Sequence, residues 1–152
     1  YYQLFGYLGL NIPKVKAEAF FPLYKALALA INQELIASAH GIYRGGLGVH
    51  LAMKAMSGGL GMSINLNKVP MVEPIRDDQI LFSESAGRFI VTVDPAKKDN
   101  FEAIFSKLPC ACVGKVTSDD KLVVYNGSSN KLLSILVSDL KHHWKKSFGS
   151  LI

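Results

Sequence analysis

The residues best suited to chemistry in this chain fall in two short runs, each punctuated by glycine and each carrying charge. The first is Arg44-Gly45-Gly46-Leu47-Gly48, set just ahead of a helical pattern. Backbone N–H groups at a glycine-rich helix start can cradle a phosphate. The run lacks the G-x-G-x-x-G spacing and the Lys-Ser/Thr ending of a P-loop, so a tight strand-to-helix turn is the competing reading. The second run is Ser83-Glu84-Ser85-Ala86-Gly87-Arg88, which gathers hydroxyls, a carboxylate and a guanidinium just before a strand pattern. Arginine can hold phosphate or carboxylate through two parallel N–H groups. Equally, Glu84 can pair with Arg88 as a surface ion pair of little energetic weight. His40, beside Gly41 at a strand end, is either a functional titrating group or a hydrogen-bonded structural histidine.

Other chemistries are poorly served. Ser85 has no nucleophile-elbow frame of Gly-x-Ser-x-Gly around it. No cluster of Asp and Glu suits magnesium. Cys110 and Cys112 form a C-x-C pair without the second cysteine pair a structural zinc site needs. On one strand their Cα atoms would lie about 6.5–7 Å apart, too far for a good disulfide. Reduced, half-buried thiols are expected, which fits a cytoplasmic protein. His142 and His143 read as solvated.

The elements that must position these runs follow from periodicity. Residues 1–16 read as an irregular lead-in, broken by Gly6, Gly9 and Pro13. Phe20, Leu23, Tyr24, Leu27, Ile31 and Leu35 recur at helical spacing and predict a helix over Ala17–Glu34, with Pro22 tolerated in its first turns. Strands are predicted at Ile36–Ile42, Gly61–Leu66, Arg88–Val93, Ala111–Val116, Lys121–Tyr125 and Lys131–Val137. Asn126-Gly127 favours a hairpin between the last two. Helices are predicted at Leu47–Met56, closed by Gly58-Gly59, at Ala96–Lys107, and from a Ser138 cap to about Phe148. His50 and Lys54 lie one turn apart and read as a wet stripe on an otherwise buried helix. The unit Arg88–Val93, helix, Ala111–Val116 reads as a strand–helix–strand crossover. The expected class is α+β, an α/β sandwich: a mixed sheet covered by helices, with residues 17–152 as a single domain.

Bulk properties agree with an ordinary globular domain. The chain has 152 residues, 49% hydrophobic and 19% charged. Its longest apolar stretch, around Ala26–Ile31, is far too short to span a bilayer, so no membrane partner is expected. Tyr1-Tyr2-Gln3 does not resemble a signal peptide. The net charge is +5. A basic balance can serve nucleic acid or acidic metabolites, but Lys141, Lys145 and Lys146 read as a solvated helix face and no nucleic-acid motif accompanies them. No nucleic-acid partner is expected.

Read in order, several segments resemble one family. They are Tyr24-Lys25-Ala26-Leu27, Ser38-Ala39-His40, Gly45-Gly46-Leu47-Gly48-Val49, Ala55-Met56-Ser57-Gly58-Gly59-Leu60-Gly61, Leu81 to Phe89, and Gly114-Lys115-Val116-Thr117, followed by a closing helix with Trp144. Together with the opening Tyr1 to Gly6, the set is similar to the large subunit of phosphoribosylformylglycinamidine synthase. The resemblance implies a C-terminal domain of the aminoimidazole ribonucleotide synthetase type. The parent of such a domain uses ATP, magnesium and ammonia to convert formylglycinamide ribonucleotide to its amidine in purine biosynthesis. Its partners would be the N-terminal domains of the same synthetase and a glutaminase, with a homodimer of this piece as a further expectation.

The resemblance carries no catalytic, metal or cofactor residue onto this chain, which on this reading is inactive alone. It implies an auxiliary phosphate, nucleotide or substrate site of Arg44, Gly45, Gly46, Glu84, Ser85 and Arg88, with His40 adjacent. Where the family's first half carries Glu-Ser-Gln, this chain has Glu84-Ser85-Ala86. Three usually acidic positions are Gly41, Arg44 and Met53, which makes the turn more positive. These departures point to the second, auxiliary half. The equivalent domain of a related ATP-dependent synthetase, or a small anion-binding module, are the alternatives.

Overall fold

A computed structural model describes residues 1–9, 14–127, 130–146 and 149. The expected break at Pro13 and the helix end near Phe148 lie outside the described residues. The elements in chain order are α1 (Ala17–Asn32), β1 (Ser38–Ile42), α2 (Gly46–Gly58), β2 (Gly61–Asn65), α3 (Asp77–Phe82), β3 (Arg88–Thr92), α4 (Lys98–Ile104), β4 (Gly114–Thr117), β5 (Lys121–Asn126), β6 (Asn130–Leu136) and α5 (Val137–Lys146). The chain divides into two compact units, one of residues 1–47 and 82–110, the other of 48–81 and 111–152.

In the first unit β1 and β3 form a two-stranded antiparallel sheet, running from Ser38 opposite Thr92 to Ile42 opposite Arg88. The core of this unit is Ala26, Leu27, Ala30, Leu35, Phe101 and Phe105, with Phe89, Val91 and Val93 packed against it. Leu23, Ala26, Leu27 and Ala30 recur at helical spacing, which is why α1 turns one face to this core. α1 stops at Asn32, short of the expected Glu34, because Glu34 takes a left-handed φ of 55°. The Leu35 N–H then donates to the Ala30 carbonyl at 3.0 Å and closes the helix end. The lead-in is not structureless: Tyr2–Phe5 make a 3-10 turn, and the Tyr1 ring stacks on Phe82 at 4.6 Å.

In the second unit the strands order as β4-β2-β5-β6. β2 runs parallel to β5 and antiparallel to β4, so the sheet is mixed as expected. β5 and β6 pair antiparallel as the expected hairpin, with Gly127 at φ 75° in its turn. Met62, Ile64, Leu122 and Val124 alternate along their strands and are buried.

Three local expectations change. The crossover does not form: β3 pairs with β1 and β4 with β2, in different sheets. Phe89 and Val91 are committed to the α1–α4 core, and β4 can approach β2 closely because Gly114 lies against the Ser63 carbonyl, where a side chain would collide. Helix α4 is shorter than Ala96–Lys107, since Leu108 N–H bonds back to Phe105 O in a closing turn ahead of Pro109. Cys110 and Cys112 precede β4, exposed, instead of lying half-buried on it.

Candidate functional site

The antiparallel pairing of β1 and β3 decides where the two sequence runs go. Ile42, the last residue of β1, faces Arg88, the first of β3. The turn leaving β1 and the loop entering β3 therefore emerge at one end of the two-stranded sheet. Gly45 and Gly46 take φ of 92° and 70°, a conformation that strains any L side chain, so glycine is required in that turn. The Gly46 N–H donates to the Tyr43 carbonyl at 3.1 Å. The Gly45 N–H donates to Glu84 Oε1 at 2.8 Å, joining residues far apart in sequence.

Arg88 shapes the loop that presents Glu84. Its Nη2 donates to the Ser83 carbonyl at 2.6 Å and its Nε to the Ser85 carbonyl at 3.0 Å. Arg88 is half-buried, and that desolvation pushes its pKa down. Two of its five N–H groups hold the loop, which leaves three for another acceptor. No ion pair links Glu84 to Arg88 among the described residues. Of the two sequence readings of this run, the surface ion pair is therefore absent here, and the guanidinium serves backbone oxygens.

The structure thus brings Arg44, Gly45, Gly46, Glu84, Ser85 and Arg88 to one end of β1–β3. Arg44, Glu84 and Ser85 are exposed and Gly46 is buried. His40 is half-buried on β1, and its ring meets Tyr43 edge-on at 6.5 Å. Tyr43 was not singled out from the sequence. Gly41 is buried, and a side chain there would collide with the Tyr43 phenol. That close approach depends on the path of the turn, which no sequence spacing announces. On α2, His50 is buried at 4% exposure, not part of a wet stripe. Lys54 is half-buried, with desolvation lowering its pKa. Among the described residues no group of three or more His, Cys, Asp or Glu could hold a metal ion. Among them, too, no helix is long and apolar enough to cross a membrane.

The family described as AIR synthase related protein, C-terminal domain, matches residues 10–126. The chain belongs to this family. A phosphoribosylformylglycinamidine synthase subunit PurL of Methanococcus aeolicus is 28% identical over 141 residues, covering 93% of this chain and 18% of that relative. The PurL subunit of Lactobacillus helveticus is 35% identical over 128 residues, covering 84% of this chain and 16% of its own length. Among solved structures, Thermotoga maritima PurL complexed with FGAR superposes with a TM-score of 0.77 at 24% identity, over 85% of this chain and 22% of that one. The hydrogenase maturation protein HypE in complex with ATP superposes with a TM-score of 0.63 at 17% identity, over 74% of this chain and 39% of that one. Both structural likenesses establish the α+β fold of the family domain. The chain spans less than a fifth of the length of the PurL relatives just described.

Proposed function

We propose that this chain is the C-terminal domain of a PurL-type phosphoribosylformylglycinamidine synthase and acts as an auxiliary, non-catalytic part of it. The observation that carries the reading is the match to PurL subunits over 93% of the chain but only 18% of the relative. On this reading residues 17–152 are the domain and 1–16 belong to the segment before it. The parent is an ATP-dependent ligase of purine biosynthesis working in the cytoplasm. Magnesium and ATP are held by its other domains. Thermotoga maritima PurL has been solved with ATP and with ADP, and a structure of PurLQS is known from the same organism, which supports a nucleotide-using parent with further subunits. A glutaminase is the partner we propose among them.

The turn of Arg44, Gly45 and Gly46 and the loop of Glu84, Ser85 and Arg88, with His40 beside them, form the auxiliary site of this reading. Its support is their convergence at one sheet end. Its auxiliary character is supported by the carboxylate of Glu84 resting on the Gly45 N–H, where a phosphate would otherwise bind.

A second feature fits a domain that packs on others. Phe21, Tyr24 and Ile31 lie along one stripe of α1 and are about half exposed, at 56%, 53% and 49%. Apolar stripes of this kind mark interaction surfaces. The occupant we propose is the remainder of the synthetase, which makes up most of each relative's length.

The test uses the parent synthetase with and without residues 17–152, assayed for amidine formation from formylglycinamide ribonucleotide, ATP and ammonia. Loss of activity on deletion is expected, with no turnover by this chain alone. Full activity without the domain sinks the reading. Concentration-dependent self-association of the intact parent through α1 would favour a homodimer instead.

A further inference from the structure

We propose that the second unit carries a site of its own for a small phosphorylated metabolite, on the open face of its four-stranded sheet. Met62 and Ile64 of β2 are buried, whereas Ser63 and Asn65 point to the opposite, half-buried face. The register places Lys115 of β4 opposite Ser63, and Tyr125 of β5 opposite Asn65. Cross-strand partners share a face, so these four side chains stand together. The 3-10 turn Leu66–Lys68 that follows β2 brings Lys68 to the same place.

A cavity of about 540 Å³ opens there, bordered by Ser63, Lys68, Lys115 and Tyr125. That size lies within the range of ordinary small-ligand sites, about 300–1,000 Å³. Two ammonium groups border it and no carboxylate does, among the described residues. Neither ammonium has a hydrogen-bond or ion-pair partner among the described residues, and neither do the hydroxyls of Ser63 and Tyr125. The walls are set independently of any ligand. Asn65 Oδ1 accepts the N–H groups of Asn67 and Gly127, at 3.0 and 3.3 Å. Gly114, opposite Ile64, lets β4 lie close against β2 beneath these side chains, since a side chain there would collide with the Ser63 carbonyl.

Two unengaged cations and two unengaged hydroxyl donors around a carboxylate-free hollow match a phosphate dianion. Val113 and the Tyr125 ring supply apolar surface beside it for an organic portion. The inference stands whether or not the synthetase reading holds, because it uses only this unit's sheet.

The test is a titration of the isotope-labelled chain, followed by amide NMR, with AMP, ribose 5-phosphate, inorganic phosphate and adenosine. Saturable shifts at Ser63, Lys115 and Tyr125 are expected with the two phosphomonoesters, weaker binding with inorganic phosphate, and none with adenosine. Lys68→Gln and Lys115→Gln should each weaken phosphomonoester binding about tenfold, as loss of one charge-assisted contact implies. Both leave the remaining spectrum in place, since both side chains are exposed. The proposal is overturned by shifts spread over all surface lysines, by affinity unchanged in the double variant, or by no saturation below roughly 10 mM, where binding is too weak to be specific. Equal affinity for inorganic phosphate and the phosphomonoesters also overturns it, since the hollow would then take a bare anion only.

Discussion

Replacing Arg88 should unfasten the loop that presents Glu84, and the size of the effect follows from the geometry. Its guanidinium donates to the Ser83 carbonyl at 2.6 Å and to the Ser85 carbonyl at 3.0 Å. Hydrogen bonds to charged groups contribute about 1.5–3 kcal/mol each. Arg88 is only half-buried, and its burial already disfavours the charged form. Water competition and desolvation roughly halve the sum, so Arg88→Ala should cost about 1.5–3 kcal/mol. Arg88→Lys keeps the charge but cannot reproduce the fork, and should cost about 1 kcal/mol. Urea denaturation reads both as a lower midpoint at unchanged m-value. A second measurement separates the loop from general destabilisation. Because Glu84 is delivered to Gly45 by this loop, the Gly45 amide should exchange hydrogen faster in Arg88→Ala than in an equally destabilised core variant. A cost within about 0.5 kcal/mol of zero, the range of ordinary surface substitutions, refutes the clamp. So does a Gly45 amide that stays as protected as in the unaltered chain.

Two further outcomes are expected. Glu34 closes α1 with a φ of 55°, so Glu34→Gly should stabilise the chain by about 0.5–1 kcal/mol, the left-handed strain relieved less the extra unfolded-state entropy of glycine. A lower thermal midpoint would show that Glu34 carries no strain there. For Lys54, burial holds the folded pKa below the ordinary 10.5. Between that folded value and 10.5 the unfolded chain binds more protons, so stability rises with pH across this window. Lys54→Met should flatten that alkaline rise in urea midpoints, and an unchanged slope would reject the assignment.

The helices and strands were legible where one period dominates. The helix start at Ala17, the alternation of Met62 and Ile64, and the β5–β6 hairpin all follow from local spacing. Pairing was not legible. Arg88–Val93 and Ala111–Val116 read as neighbours because a helix separates them, yet nothing local specifies that β3 belongs with β1 and β4 with β2. The same limit governs the candidate site. The run at Gly45 and the run at Glu84 were both visible, and their meeting was not. That contact depends on the register that sets Ile42 opposite Arg88.

Gly41 and Arg44 have a physical role at this meeting point. A side chain at position 41 would push the exposed Tyr43 ring aside, and Gly41 lets that ring lie close over the strand. Arg44 sets a cation beside a turn whose first glycine N–H is already bonded to Glu84. An anion arriving at that turn must displace the Glu84 carboxylate, giving up one charge-assisted hydrogen bond before forming its own. Attraction to Arg44 and to the three unused N–H groups of Arg88 offsets that loss only for a ligand of higher charge than a carboxylate. Weakly charged ligands then gain nothing over the internal contact. The two runs that look like an anion site thus also act as a staple between the exit of β1 and the entry of β3, in keeping with the auxiliary role proposed above.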